Sequence, residues 1–153
     1  MIVAVSSLEE ITTSRIQVGE MEMTDIGMKV TLEMDYESAL DKVTEALMGE
    51  GFGVLTEIDV KATFKKKLDK DFRPYKILGA CNPPLAYRAL TNAPDTGMLL
   101  PCNVTVSQEE DGRILVSIID PLAMMGFLVD PALDEVAQDA NERLTRVAQA
   151  LAS

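Results

Sequence analysis

Cys81 and Cys102 are the side chains of this 153-residue sequence best suited to covalent chemistry. They stand in similar local words, Gly79-Ala-Cys-Asn-Pro-Pro84 and Leu100-Pro-Cys-Asn103. Cys81 lies just ahead of Pro83-Pro84. A proline pair favours a helix start, because proline presets φ and lacks the donor that the first helical position wastes. A thiol there faces the positive end of a helix, which favours thiolate. Backbone amides at such a start can also hold an anionic ligand group. Two roles follow. In the first, Arg73, Tyr75, Cys81, Asn82, Pro83 and Pro84 form a site for a small anionic ligand or a protein partner. In the second, Cys81 is a nucleophile, Cys102 its resolving thiol and Arg73 the thiolate stabiliser. Against both stands the plain role of a buried thiol as a small hydrophobe. Cys102 lies on the apolar side of its strand, which favours that plain role, whereas Cys81 is open to either.

Several chemistries are excluded from the start. The chain has no histidine, so imidazole acid–base work and Ser-His or Cys-His pairs are impossible. Two thiols without histidine fall short of a four-ligand zinc site, and no metal is expected. Gly51-Phe-Gly53 and Gly79 make no phosphate-binding glycine motif, and no cofactor is expected. A net charge of −11 repels nucleic acid and anionic membrane. The N-terminus lacks a basic, long apolar leader, and the longest apolar run, residues 122–129, is far too short to span a bilayer. The expectation is a cytoplasmic protein with reduced thiols. Glu57 and Asp59 are weaker candidates as base or ligand, with Asp59 better suited to capping a helix. Tyr87 and Arg88 can line a pocket near Cys81 or simply pack.

The elements that must position these groups are readable from residue 27 onward. Met28, Val30, Leu32 and Met34 alternate with polar residues, which predicts a half-buried strand. Asp35 caps a helix with Tyr36, Leu40, Val43 and Leu47 on one side, stopped by Gly49 and Gly51. Phe52, Val54, Thr56 and Ile58 form a second strand. Asp59 caps a second helix with a Val60, Phe64, Leu68 stripe. Pro74 introduces a strand from Tyr75 to Cys81, and residues 85–90 form a short helix. A fourth strand is predicted from Met98 to Gln108, then a turn at Asp111-Gly112 and a fifth strand from Ile114 to Ile119. Asp130-Pro131 opens a long last helix with an apolar stripe of Leu133, Val136, Ala140, Leu144, Val147 and Leu151. The fold class is α+β: a single domain over residues 27–153, with a mostly antiparallel sheet of about five strands and helices mainly on one face. Residues 1–26 read as an N-terminal extension. Ser7-Leu-Glu-Glu10 resembles a capping box, while Ile16, Val18, Met21 and Met23 can line β-segments.

Two stretches have unusual composition. Lys61 to Lys76 holds seven basic residues against Asp69 and Asp71, a local +5 that suits either an anion site or a solvated helix face. Residues 122–129 are wholly apolar, with Leu122, Met124, Met125 and Phe127 as large side chains. That run either packs on the core as a short helix, meets a second copy, or covers a ligand cleft.

Three words in order carry a resemblance: Gly51-Phe-Gly-Val-Leu-Thr-Glu-Ile-Asp59, Phe72-Arg-Pro-Tyr-Lys-Ile-Leu-Gly-Ala-Cys-Asn-Pro-Pro84, and Leu99-Leu-Pro-Cys-Asn-Val104. The chain resembles the domain of unknown function 302 family over roughly residues 27–122, and further into the last helix. The resemblance implies a TATA-binding-protein-like β-α-β4-α arrangement and, in some members, a dimer. The family's motif residues map onto Gly51, Phe52, Asp59, Arg73, Pro74, Tyr75, Cys81, Asn82, Pro83, Pro84, Pro101 and Cys102. It implies no reaction. The first 20 or so residues look like an addition to the usual domain. The leading expectation is a homodimeric binding module with a ligand or partner site at residues 81–84. The alternative is a thiol-dependent redox or sulfur-handling enzyme.

Overall fold

A computed structural model describes residues 17–153; the capping box read at residues 7–10 and the apolar Ile16 lie outside them. Local signals place most elements. Asp35, Asp59, Asn82, Asp120 and Asp130 each precede a helix and accept a backbone N–H of its first turn through the side chain. Each such cap satisfies a donor that the helix leaves orphaned, a contribution of about 1 kcal/mol. The order is β1 (Met21–Met23), β2 (Gly27–Leu32), α1 (Tyr36–Gly49), β3 (Gly53–Asp59), α2 (Val60–Leu68), β4 (Tyr75–Cys81), α3 (Pro83–Asn92), a 3-10 helix (Pro94–Leu99), β5 (Cys102–Gln108), β6 (Ile114–Ile119), α4 (Pro121–Met125) and α5 (Pro131–Ala152).

The strands form one antiparallel sheet in the order β1-β2-β6-β5-β4-β3. Its inner face carries Met28, Val30, Leu78, Ala80, Cys102, Val104, Val106, Ile114, Val116 and Ile118, all buried. The α5 stripe read from the sequence is buried in full against that face, together with Ala39, Leu40, Val43 and Leu47 of α1. Burying one such Leu or Val side chain is worth roughly 1.5–3 kcal/mol, so this two-layer core dominates stability. The α+β architecture and the long C-terminal helix are as expected. The sheet has six strands rather than five, because Met21–Met23, read as extension, pairs with β2.

Three expectations are corrected. The fourth strand begins at Cys102, not Met98. Pro94 opens a 3-10 helix that runs to Leu99, and Pro101 has no N–H to give a ladder. The second strand does not keep its alternation: a bulge between Val54 and Thr56 leaves Phe52 buried but Ile58 half exposed. The α2 stripe is not buried. This helix packs mainly against β3 and β4 at the sheet edge and against the segment leading into β4, where Phe64 meets Phe72 edge-to-face at 5.1 Å, while Leu68 stays exposed. Of the basic segment, Lys65 pairs with Asp69 and Asp71 at the surface and Lys76 pairs with Glu57 at 2.6 Å.

Candidate functional site

Cys81 closes β4 and Asn82 caps α3, so the sequence puts a thiol one residue ahead of a helix, as read. The helix start, however, is closed by its own chain. The Asn82 Oδ1 accepts from the Leu85 N–H at 3.2 Å, and the Ala86 N–H donates to the Asn82 carbonyl at 2.9 Å. Pro83 and Pro84 have no N–H to offer. Every first-turn donor is therefore absent or used, and no amide is left to cradle an anion.

Arg73 and Tyr75 are not brought to residues 81–84. An extended chain rises about 3.3 Å per residue, which separates Tyr75 from Cys81 by about 20 Å along β4. Arg73 lies beyond Tyr75, with its guanidinium over the Phe72 and Tyr75 rings at 5.3 and 5.9 Å. The guanidinium near Asn82 belongs instead to Arg143, which the sequence did not single out. It is already engaged, with the Asp139 carboxylate at 2.8 Å and the Glu50 carbonyl at 3.3 Å. Glu57 is committed to Lys76 and Asp59 to capping α2. Tyr87 is exposed, and Arg88 reaches Glu135 at 3.4 Å on the surface.

The two thiols do share a place. Ala80 pairs with Cys102 across β4 and β5, and Cys81 follows it. Both line a small cavity of about 20 Å³ with Phe52, Leu85, Ala89, Leu100, Met125, Val136 and Ala140. That is room for about one water, and the walls are almost wholly apolar. Leu85 with Ala89, and Val136 with Ala140, stand at i,i+4, so the stripes were readable even though their meeting point was not. Both cysteines are free. Burial pushes the Cys81 thiol up, and it pushes Cys102 up to about 11, with the Cys81 charge as a smaller cause. Burial is the leading cause at both, so the thiolate is disfavoured at neutral pH. Alkylation of Cys81 by iodoacetamide should accordingly keep accelerating beyond about pH 9. A rate that levels off well below that pH, followed by mass spectrometry, would overturn this assignment.

Among the described residues no cluster of Cys, Asp or Glu could hold a metal ion, and no helix is long and apolar enough to cross a membrane.

A family model for a domain of unknown function, DUF302, matches residues 28–151. The chain belongs to the DUF302 family. A crystal structure of an uncharacterized conserved DUF302 protein from Bacillus stearothermophilus is similar to it at 33% identity, with a TM-score of 0.73. That similarity covers 80% of this chain and 94% of the other. No curated protein matches the chain. The DUF302 match spans β2 through nearly all of α5, so the cavity beside Cys81 lies wholly inside the family domain. The family brings a fold and no reaction.

Proposed function

We propose that this DUF302 domain is a non-catalytic binding module that works as a homodimer, with the partner copy seated on the apolar end around the Cys81 cavity. The observation that carries this reading is a rim of exposed apolar side chains on the elements bordering the cavity. Phe127 is 84% exposed, Met98 80%, Tyr87 74%, and Val129 is fully open. The 3-10 helix that bears Met98 contacts both α3, which bears Tyr87, and α4, which leads into the segment with Phe127 and Val129.

Charge supports the same surface. Residues 83–100 and 121–129 carry only Arg88 and Asp95, in a chain that is one quarter charged. Two copies at −11 each repel at long range, and a charge-poor patch is where they can touch at least cost. Large exposed apolar patches of this kind mark interaction surfaces. The run 122–129 divides its labour. Met125 is buried in the cavity wall and Met124 is half-buried against the core, whereas Leu122 and Phe127 are exposed and are the side chains of this run best placed to meet a partner copy. An apolar contact also replaces the anion first expected at residues 81–84, since the start of α3 has no donor left.

Sedimentation at several concentrations tests the proposal. The natural chain is expected to run at twice its own mass and Phe127→Asp at its own mass. A natural chain that stays monomeric throughout, or a Phe127→Asp dimer of unchanged mass, would refute it. Met98→Asp should weaken the same association, and a folded far-ultraviolet spectrum would show that neither variant has simply unfolded.

A further inference from the structure

A second concavity lies on the other face of the sheet, away from α1, α3 and α5. Register puts Lys29, Ser117 and Thr105 side by side across β2, β6 and β5, in one row on that outer face. Asn103 lies two residues from Thr105 on the same face, and Tyr75 two residues from Ile77, the partner of Thr105 on β4. These side chains line a groove of about 330 Å³ with Ile119 as an apolar wall. That volume reaches the lower end of the range for small-molecule sites.

The polar groups of this groove are uncommitted. Lys29, Ser117, Thr105, Asn103 and the Tyr75 hydroxyl make no hydrogen bond or ion pair among the described residues. Glu22 stands opposite Lys29 in register on β1 and still does not pair with it. Lys29 is therefore a half-buried lysine without a carboxylate partner; Lys42, half-buried too, reaches the Leu151 carbonyl at 3.5 Å, and the other described cations without such a partner, Lys61, Lys66, Lys67, Lys70 and Arg73, are exposed.

Those facts define the ligand by complementarity. One ammonium suits one anionic group; the Arg73 guanidinium stands over the Tyr75 ring at 5.9 Å but does not line the groove. Two hydroxyls and an amide suit a body that both donates and accepts hydrogen bonds. From β2 to β4 is three strand spacings, about 14 Å, which together with the groove volume leaves room between Lys29 and Tyr75 for a body of hexose size.

We propose that this groove binds a small hydroxylated acid of hexose size, with Lys29 taking its carboxylate or phosphate and Ser117, Thr105 and Asn103 its hydroxyls. The site is separate from the dimer surface proposed above, and its occupancy does not depend on that surface.

Titration of the full chain with gluconate, glucose 6-phosphate, glucose and inorganic phosphate, followed by amide NMR, tests this. At least one of the two sugar acids is expected to shift the amides of Lys29, Asn103, Thr105 and Ser117, and which one binds distinguishes carboxylate from phosphate. Glucose and inorganic phosphate should bind at least tenfold more weakly, because each supplies half of the contacts and a hydrogen bond to a charged group is worth a tenfold or more. Lys29→Met should lose at least tenfold toward the acids, and Thr105→Val should weaken them too; both changes are on the sheet's outer face, and an unchanged melting temperature checks the fold. No amide shift from any of the four at millimolar concentration would overturn the proposal. So would acid binding that Lys29→Met leaves intact.

Discussion

Gly27→Ala is expected to lower the unfolding free energy by about 3 kcal/mol, a large loss for a small domain. A methyl group at Gly27 would overlap the Ile118 carbonyl oxygen on the neighbouring strand, and would also crowd the Ile118 carbonyl carbon at 3.1 Å. Both atoms are backbone of β6, which is held by β2 on one side and β5 on the other. No flexible side chain is there to yield. Gly27 cannot retreat either: its N–H donates to the Thr24 hydroxyl at 3.0 Å and its carbonyl accepts from the Thr24 N–H at 2.7 Å. The matched control is Gly49→Ala at the end of α1, where a methyl group meets nothing within 4 Å. That change should stabilise by roughly 0.5–1 kcal/mol, because alanine is the better helix former and restricts the unfolded chain. Urea unfolding of the two variants should thus move the midpoint in opposite directions. Equal shifts would show that the crowding at Gly27 is relieved by a movement of the strands.

The second large effect is alkaline. Burial holds the Cys102 thiol at about 11, against an ordinary value of 9.0. A folded state that binds the proton more tightly than the unfolded chain is favoured while both are protonated. Its advantage is complete below about pH 9 and is lost as pH climbs through about 11. Two pH units of difference correspond to about 3 kcal/mol. Cys102→Ala gives up some packing, so its stability is lower at neutral pH. Its alkaline fall should nevertheless be shallower, because the proton linkage is gone. Denaturant midpoints measured from about pH 8 to 11 for the natural chain and the variant should therefore converge as pH rises. Parallel curves would mean that Cys102 is not the linked group. Tyr36 lies higher still, pushed up to about 12 by burial and then by the nearby Asp59 charge, and contributes only at the top of that range.

Cys81 and Arg73 show where sequence reading ends. They are eight residues apart, a spacing that in a helix would set them just over two turns apart on neighbouring faces. Here an extended strand lies between them, and the same spacing carries them to opposite ends of the sheet. The anion cradle failed for a more local reason. Asn82 does precede a helix, and the cap that it forms is itself what fills the helix start. The α2 stripe misled because apolar spacing marks the side that could be buried, while β3 lies at the sheet edge and leaves little to bury it against.

The capped helix starts, the antiparallel return at Asp111-Gly112 and the buried side of α5 are written within short windows of residues. A cap, a proline or a repeat of apolar positions acts over a few residues and needs no distant partner. The six-strand order, the cavity shared by Cys81 and Cys102, the exposure of Phe127 and the row of Lys29, Ser117 and Thr105 each depend on residues far apart in the chain. Strand order and register come from how whole faces pack against one another, and short-range periodicity carries no record of which strand lies next to which.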